Sequence, residues 1–199
     1  MIRAFFAVPA DPCWVESARD LLRALRAELP EASWTRPESW HLTLHFLGEI
    51  SASEGDRFSR DIARLAGQAP EGELRASGAV VFPKRGPARV LGVGFDPSPF
   101  TESLGRLAGA AARLAPATRD SKSEARSFHP HVTFARIRRS WPPQAVERYR
   151  SAMEQWQAPT WRARSCVLYR SRLDPAGAVH TPIQTWALGP APMPAEARR

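Results

Sequence analysis

The stretch "SWHLTLHFLGEI", residues 39–50, decides how this chain is read. Apolar residues alternate with His41, Thr43 and His45, the period-two pattern of a strand with one packed face. Strict alternation gives His41, Thr43 and His45 one face, and Leu42, Leu44 and Phe46 the other, which is the expected core face. Ninety positions on, "SFHPHVTFARI", residues 127–137, repeats the pattern. There His129, His131 and Thr133 share a face opposite Val132 and Phe134. Four of the five histidines therefore fall in two similar apolar strands.

Working outward, each motif sits in the middle of the same order of elements. Strands are expected at 2–8, 40–48 and 72–83, with helices at 11–29 and 51–67. A second set follows: strand 88–96, helix 98–115, strand 128–137, helix 142–156 and strand 160–173. A "DPAG" turn and a closing strand at 178–188 complete it. Asp11 before Pro12 and Ser98 before Pro99 read as helix N-caps with proline at the first helical position. Ser51 with Glu54 three residues on reads as a capping box. The order β-α-β-α-β thus occurs twice, a duplication of one unit of about 90 residues, too long and too few in number for a solenoid. One bilobal domain over 1–189 is expected, with repeats at about 1–86 and 87–189 and a disordered tail at 190–199. Two lobes related by a pseudo-two-fold would bring the histidine strands together across a central cleft.

Composition narrows the class. At 43% apolar and 24% charged, the 199 residues read as a soluble globular protein. No run reaches the ~18 apolar residues of a membrane helix. "MIRAFFAVPADP" is too short in its apolar part for a secretory signal, so it reads as a first strand and the expected location is the cytoplasm. Cys13 and Cys166 lie in no metal-like or redox-like spacing, and a disulfide framework is not expected. The formal charge is +8, and only Lys84 and Lys122 among the 28 basic residues are lysines. A phosphate-bearing partner suits that charge; an arginine-rich genome composition produces it equally well. Nothing signals an oligomer, so a monomer is expected.

The paired motif suggests acid/base work. Imidazole titrates near neutral pH, so two facing histidines can serve as base and acid. A threonine hydroxyl on the same face donates to an anionic oxygen without adding charge. Metal binding is the rival reading of four histidines. On a strand, however, His41 and His45 stand about 13 Å apart, and neither motif holds a carboxylate. A serine or cysteine nucleophile has no residue at the repeated position. Arg136 could clamp phosphate oxygens in fork geometry. Alternation places it opposite His131 unless a bulge or the strand end turns it.

At these residues the chain resembles the two-histidine phosphoesterase superfamily, and within it the RNA 2′,3′-cyclic phosphodiesterases, also called 2′-5′ RNA ligases. "HLTLHFLGE" and "FHPHVTFAR" fit the family's paired His-x-Thr-apolar motifs, and "RAFFAV", "GAVVFPKRGPARVLGVG" and "LYRSRLDPAG…TPIQTWAL" fit its flanks. The resemblance covers residues 2–188. It implies an α+β bilobal fold with a duplicated β-α-β-α-β unit, pseudo-two-fold symmetry and a central cleft. It implies an enzyme without metal or cofactor that opens a 2′,3′-cyclic phosphate on an RNA or oligonucleotide end to leave a 2′-phosphate. His41 is then the proton donor to the departing 3′-oxygen and His131 the proton acceptor that activates water. Thr43 and Thr133 match oxygen-binding threonines, and Arg136 matches a phosphate-contacting arginine. Phe6 matches a ring that stacks on the terminal base, or else is a core residue of the first strand. His45 and His129 fall outside the repeated catalytic position and are expected either to line the cleft or to support the residues that do. His180 stands where an aromatic is common in the family, and its role is open. Alternative readings are an enzyme on small cyclic nucleotides or 2′-5′ oligonucleotides, and a non-catalytic module that binds RNA ends.

Overall fold

Phe5 and Phe6 are neighbours in sequence yet face opposite ways, and that alternation separates the two sides of the molecule. Phe5 lies against His41, whereas Phe6 packs on Phe58 and Trp186. The computed structural model describes residues 1–29, 32–116, 128–137, 141–174 and 177–189. The elements run β1 (Ile2–Pro9), α1 (Pro12–Glu28), β2 (Ala32–Trp34), a 3-10 turn (Pro37–Ser39), β3 (His41–Ile50), α2 (Ala52–Gln68), β4 (Gly72–Leu74) and β5 (Ala76–Phe82). Then follow β6 (Val90–Phe95), α3 (Pro99–Leu114), β7 (His131–Ile137), α4 (Pro143–Gln155), β8 (Trp161–Ala163), β9 (Ser165–Asp174) and β10 (Gly177–Ala187). Among the described residues no helix is long and apolar enough to cross a membrane.

The expected helices form where local chemistry starts them. The Asp11 side chain accepts from the backbone N–H groups of Cys13 and Trp14. Ser51 and Glu54 close a reciprocal capping box, and Ser98 and Thr101 close another. Each such cap contributes on the order of 1 kcal/mol.

The large sheet has the order β10-β9-β1-β3-β7-β6-β5, with β2 beside β7 and every pairing antiparallel. Outward from the β3–β7 junction, β1 and β9 on one side match β6 and β5 on the other. Residue pairings superimpose. Pro9 faces His41 as Gly94 faces His131, Ala7 faces Thr43 as Gly92 faces Thr133, and Phe5 faces Phe46 as Val90 faces Arg136. In the next strand out, Tyr169 faces Phe5 as Phe82 faces Val90. The chain is therefore a true duplication about a pseudo-two-fold axis. Among the described residues β10 has no counterpart beyond β5.

Two expected strands are broken. Residues 72–83 divide at Arg75 into β4 and β5, and 160–173 divide at Arg164 into β8 and β9. The breaks are equivalent: β4 and β8 leave the large sheet and pair with each other across the axis, Glu73 opposite Arg162. The expected strand at 128–137 begins only at His131, after Pro130, which has no N–H for a ladder. The short β2 and the 3-10 turn were not expected. Residues 119–127 and the expected tail at 190–199 lie outside the described residues.

The helices pack on the face away from the histidines. At the centre Trp14 of α1 is fully enclosed by Trp40, Phe95, Phe134, Trp156 and Trp161. Tyr149 of α4 is buried and donates to the Gly92 carbonyl at 2.8 Å. Cys166 is a buried free thiol whose pKa is pushed up to about 12 by burial, and Cys13 is free and exposed.

Gly92 shows how closely the strands approach. A Cβ there would collide with the Val132 carbonyl oxygen, beside the backbone of Thr133. Gly92→Ala should shift β7 and destabilise the fold by about 1–3 kcal/mol, read as a lower urea midpoint. A midpoint equal to the wild type would show that β7 has slack at this point.

Candidate active site

His41 and His131 begin β3 and β7, and the two strands touch at one bridge, Leu42 with Val132. Each histidine lies one residue before that bridge. Extending the antiparallel register sets His41 toward Thr133 and Thr43 toward His131, so all four polar side chains gather around the axis. All four are half-buried.

The two rings are held in the same way. Nδ1 of His41 lies 2.7 Å from the carbonyl oxygen of Ser39, and Nδ1 of His131 lies 2.7 Å from that of His129. A carbonyl only accepts, so Nδ1 carries the proton in both rings and donates it. Nε2 is then the atom of each neutral ring that can take up a proton. His129 is thus outside the strand and serves through its backbone, rather than on the same strand face as His131.

A bulge after each threonine corrects the strict alternation. In β3 an extra residue at Leu44 leaves His45 opposite Phe6 and turns Phe46 onto the His41 face, where it is 55% exposed and lies near Phe5. In β7 the equivalent shift at Phe134 buries Ala135 and turns the exposed Arg136 toward the His131 side. Thr35, not singled out in the sequence, fixes this second bulge. Its hydroxyl lies 3.0 and 2.9 Å from the carbonyls of Thr133 and Phe134, and it accepts from Trp40 Nε1 at 2.9 Å. Trp40 precedes His41, so one hydroxyl ties the first motif to the second.

Phe6 does not line the cleft. It is 0% exposed and packed among Phe58 and Trp186. Phe5 takes the histidine face, with its ring centroid 4.5 Å from that of His41, 5.1 Å from Tyr169 and 4.8 Å from His180. Phe5 is itself buried, so it is a floor beneath His41. In the other half Val90 stands in the place of Phe5, and Phe82, the counterpart of Tyr169, meets His131 edge-on at 5.2 Å. His180, left open in the sequence, stands 5.3 Å from His41.

Burial holds His41 neutral, lowering its pKa to about 4 against the backbone hydrogen bond that favours the cation, with His180 and His131 repelling further. His131 is lowered chiefly by burial, with His129 and Arg136 adding repulsion. Among the described residues no three His, Cys, Asp or Glu side chains converge as a metal cluster.

The family model for LigT-like phosphoesterases matches residues 13–92 and 95–180. The chain belongs to the LigT-like phosphoesterase family. It is 26% identical over 159 residues to the RNA 2′,3′-cyclic phosphodiesterase of Aquifex aeolicus, covering 78% of this chain and 81% of that one. It is 24% identical over 189 residues to the protein of the same name from Methanothermobacter thermautotrophicus, covering 94% and 99%. Among solved structures, TT0787 of Thermus thermophilus superimposes with a TM-score of 0.72 at 25% identity, over 94% of this chain and 98% of that one. E. coli LigT complexed with 3′-AMP gives 0.66 at 25% identity, over 94% of this chain and 97% of that one. The bilobal α+β fold of two-histidine phosphoesterases is thus the fold of this member too.

The lowered His41 pKa links stability to pH. The folded value lies below the usual 6.5, so unfolded chains take up the proton first as pH falls. The stabilisation is complete above about pH 6.5 and is lost toward pH 4, amounting to about 3 kcal/mol. The wild-type urea midpoint should fall between pH 7 and 5 by more than that of His41→Gln, since His131 and His180 retain their own parts of the slope. An equal fall in both proteins would show that His41 is not held neutral by the fold.

Proposed function

We propose that this protein hydrolyses RNA 2′,3′-cyclic phosphate ends to 2′-phosphates, with His131 as base and His41 as acid and without metal or cofactor. The observation that carries this reading is the matched pair of Nδ1-anchored histidines, each presenting Nε2 beside the same axis. Neutral His131 takes a proton from water, and the water oxygen bonds to phosphorus. The bond from phosphorus to O3′ breaks, and His41 gives O3′ its proton. The phosphate remains on O2′. His131 ends protonated and His41 neutral, and exchange with solvent restores the starting pair. Thr43, Thr133 and Arg136 supply donors to the phosphate oxygens, with the Arg136 fork suited to two of them. A ribose 5′-hydroxyl in place of water gives a 2′-5′ linkage by the same two proton transfers.

The acid role asks His41 to carry a proton that its burial disfavours. A phosphodiester brings a negative charge between the rings, which raises the proton affinity of both. The donor assignment rests on the order of the motifs in the family, because the two rings are anchored alike.

Hydrolysis of a nucleoside 2′,3′-cyclic phosphate, with the product identified and EDTA present, tests the reading. His41→Ala and His131→Ala should each lower the rate about 10²–10⁴-fold in folded protein. The productive free form carries one proton on the pair, and both histidines are shifted below 6.5. Hence kcat/KM should rise and fall with a maximum on the acid side of neutrality. An optimum above pH 8, or near wild-type turnover in either variant, would falsify the assignment.

The roles separate on a substrate whose bridging 3′-oxygen is sulfur. A thiolate leaves without a proton, so His41→Ala should recover much of its lost rate, each tenfold corresponding to ~1.4 kcal/mol. His131→Ala should stay slow. Recovery in His131→Ala instead would reverse the two roles.

A further inference from the structure

His180 is a titratable side chain in the cleft that the proposed reaction does not use. It lies on β10, the edge strand with no described counterpart beyond β5. Whatever β10 adds to the cleft therefore distinguishes the His41 half from the His131 half.

Its position requires the sheet to curl. β10 stands three strands from β3, about 14 Å away in a flat sheet. Yet the rings of His180 and His41 have centroids 5.3 Å apart and are nearly perpendicular, at 86°. His180 also meets Phe5 edge-on at 4.8 Å and lies 6.4 Å from Tyr169. The β9–β10 hairpin thus folds over toward the start of β3, and Ser39 Oγ donates to the Ala178 carbonyl at 3.4 Å. The Ser39 carbonyl is the anchor of His41, so the hairpin and the ring share one support.

Packing alone does not call for a histidine here. Among the described residues, Nδ1 of His180 is buried with no hydrogen-bond partner. An unpaired buried polar atom costs about 1–3 kcal/mol. A phenylalanine would fill the space between Phe5, Tyr169 and His41 without that cost. His180 is half-buried, and unlike Nδ1 its Nε2 is not an enclosed atom lacking a partner.

The direction of the substrate follows from charge. Arg136 lies on the His131 side, so the free phosphate oxygens turn that way. The ribose that carries O3′ then lies over His41, and its base extends past His41 toward β10. Resting on the phosphodiesterase reading, we propose that His180 recognises the edge of the terminal nucleobase through Nε2 and so fixes which way round the nucleotide enters a nearly symmetric cleft. An imidazole nitrogen serves as donor or acceptor according to tautomer, which suits a base edge.

Calorimetric titration of wild type, His180→Phe and His180→Gln with 2′-AMP, ribose 2-phosphate and inorganic phosphate tests this. His180→Phe keeps a ring against His41 and removes the nitrogens. It should weaken 2′-AMP about tenfold, or ~1.4 kcal/mol, while ribose 2-phosphate and phosphate bind as in the wild type. His180→Gln should recover part of the 2′-AMP affinity. Equal 2′-AMP affinity in wild type and His180→Phe overturns the proposal. So does an equal loss for all three ligands, which would mean that His180 acts on the phosphate through His41. Because binding is read without turnover, a wild type that hydrolyses no cyclic phosphate would sink the phosphodiesterase reading while these titrations still decide the role of His180.

Discussion

The bridge between Leu42 and Val132 joins the two duplicated units at the axis that relates them. Both residues are fully buried, so the junction is held by the core on one face. On the other face the chain has no choice but to present the residues on either side of that pair, and these are His41, Thr43, His131 and Thr133. The site is a consequence of the junction. A shift of β3 against β7 by one residue would turn the polar side chains of one motif onto the apolar face and break the match with the other.

Each strand then needs a device to use its next residues, and the bulge provides it. An extra residue after the threonine turns position 46 in one half and position 136 in the other onto the histidine face. The backbone solution is the same in both halves, but the side chains differ: a phenylalanine stands where its mate is an arginine. Thr35 and Trp40 brace the arginine's bulge from the opposite unit, so the strand that carries Arg136 in one half is tied to the histidine strand of the other.

Much of this was legible because it is local chemistry. Asp11 with Pro12, Ser51 with Glu54, and Ser98 before Pro99 start their helices through contacts within four residues, and those helices stand where expected. The two motifs and the duplication were legible because period-two alternation is strong near His41 and His131. What was not legible depends on partner strands. Bulges arise where two strands with unequal residue counts must pair, which one strand's pattern does not reveal. Phe46 was therefore assigned to the core, and only a bulge could bring Arg136 to the histidine side. Phe5 and Phe6 carry identical side chains, and only the strand's orientation in the sheet says which one meets His41. The three-residue strands β2, β4 and β8 are too short for any period to show.

Under the proposed acid/base reaction a matched pair meets a final constraint, because the two members must do opposite things. Identical anchors at Nδ1 give two rings with the same tautomer and no preference between donor and acceptor. A symmetric cleft would also accept its substrate in either sense, and half of those encounters would place the leaving oxygen beside the base. The differences between the halves therefore carry the directionality. Arg136 replaces an aromatic on the His131 side; Phe5 replaces Val90 beneath His41; β10 adds His180 to one wall only. Together they make the His41 half more aromatic and the His131 half more cationic. A nucleoside phosphate has one aromatic end and one anionic end, and as the proposed substrate it would enter such a cleft in a single sense.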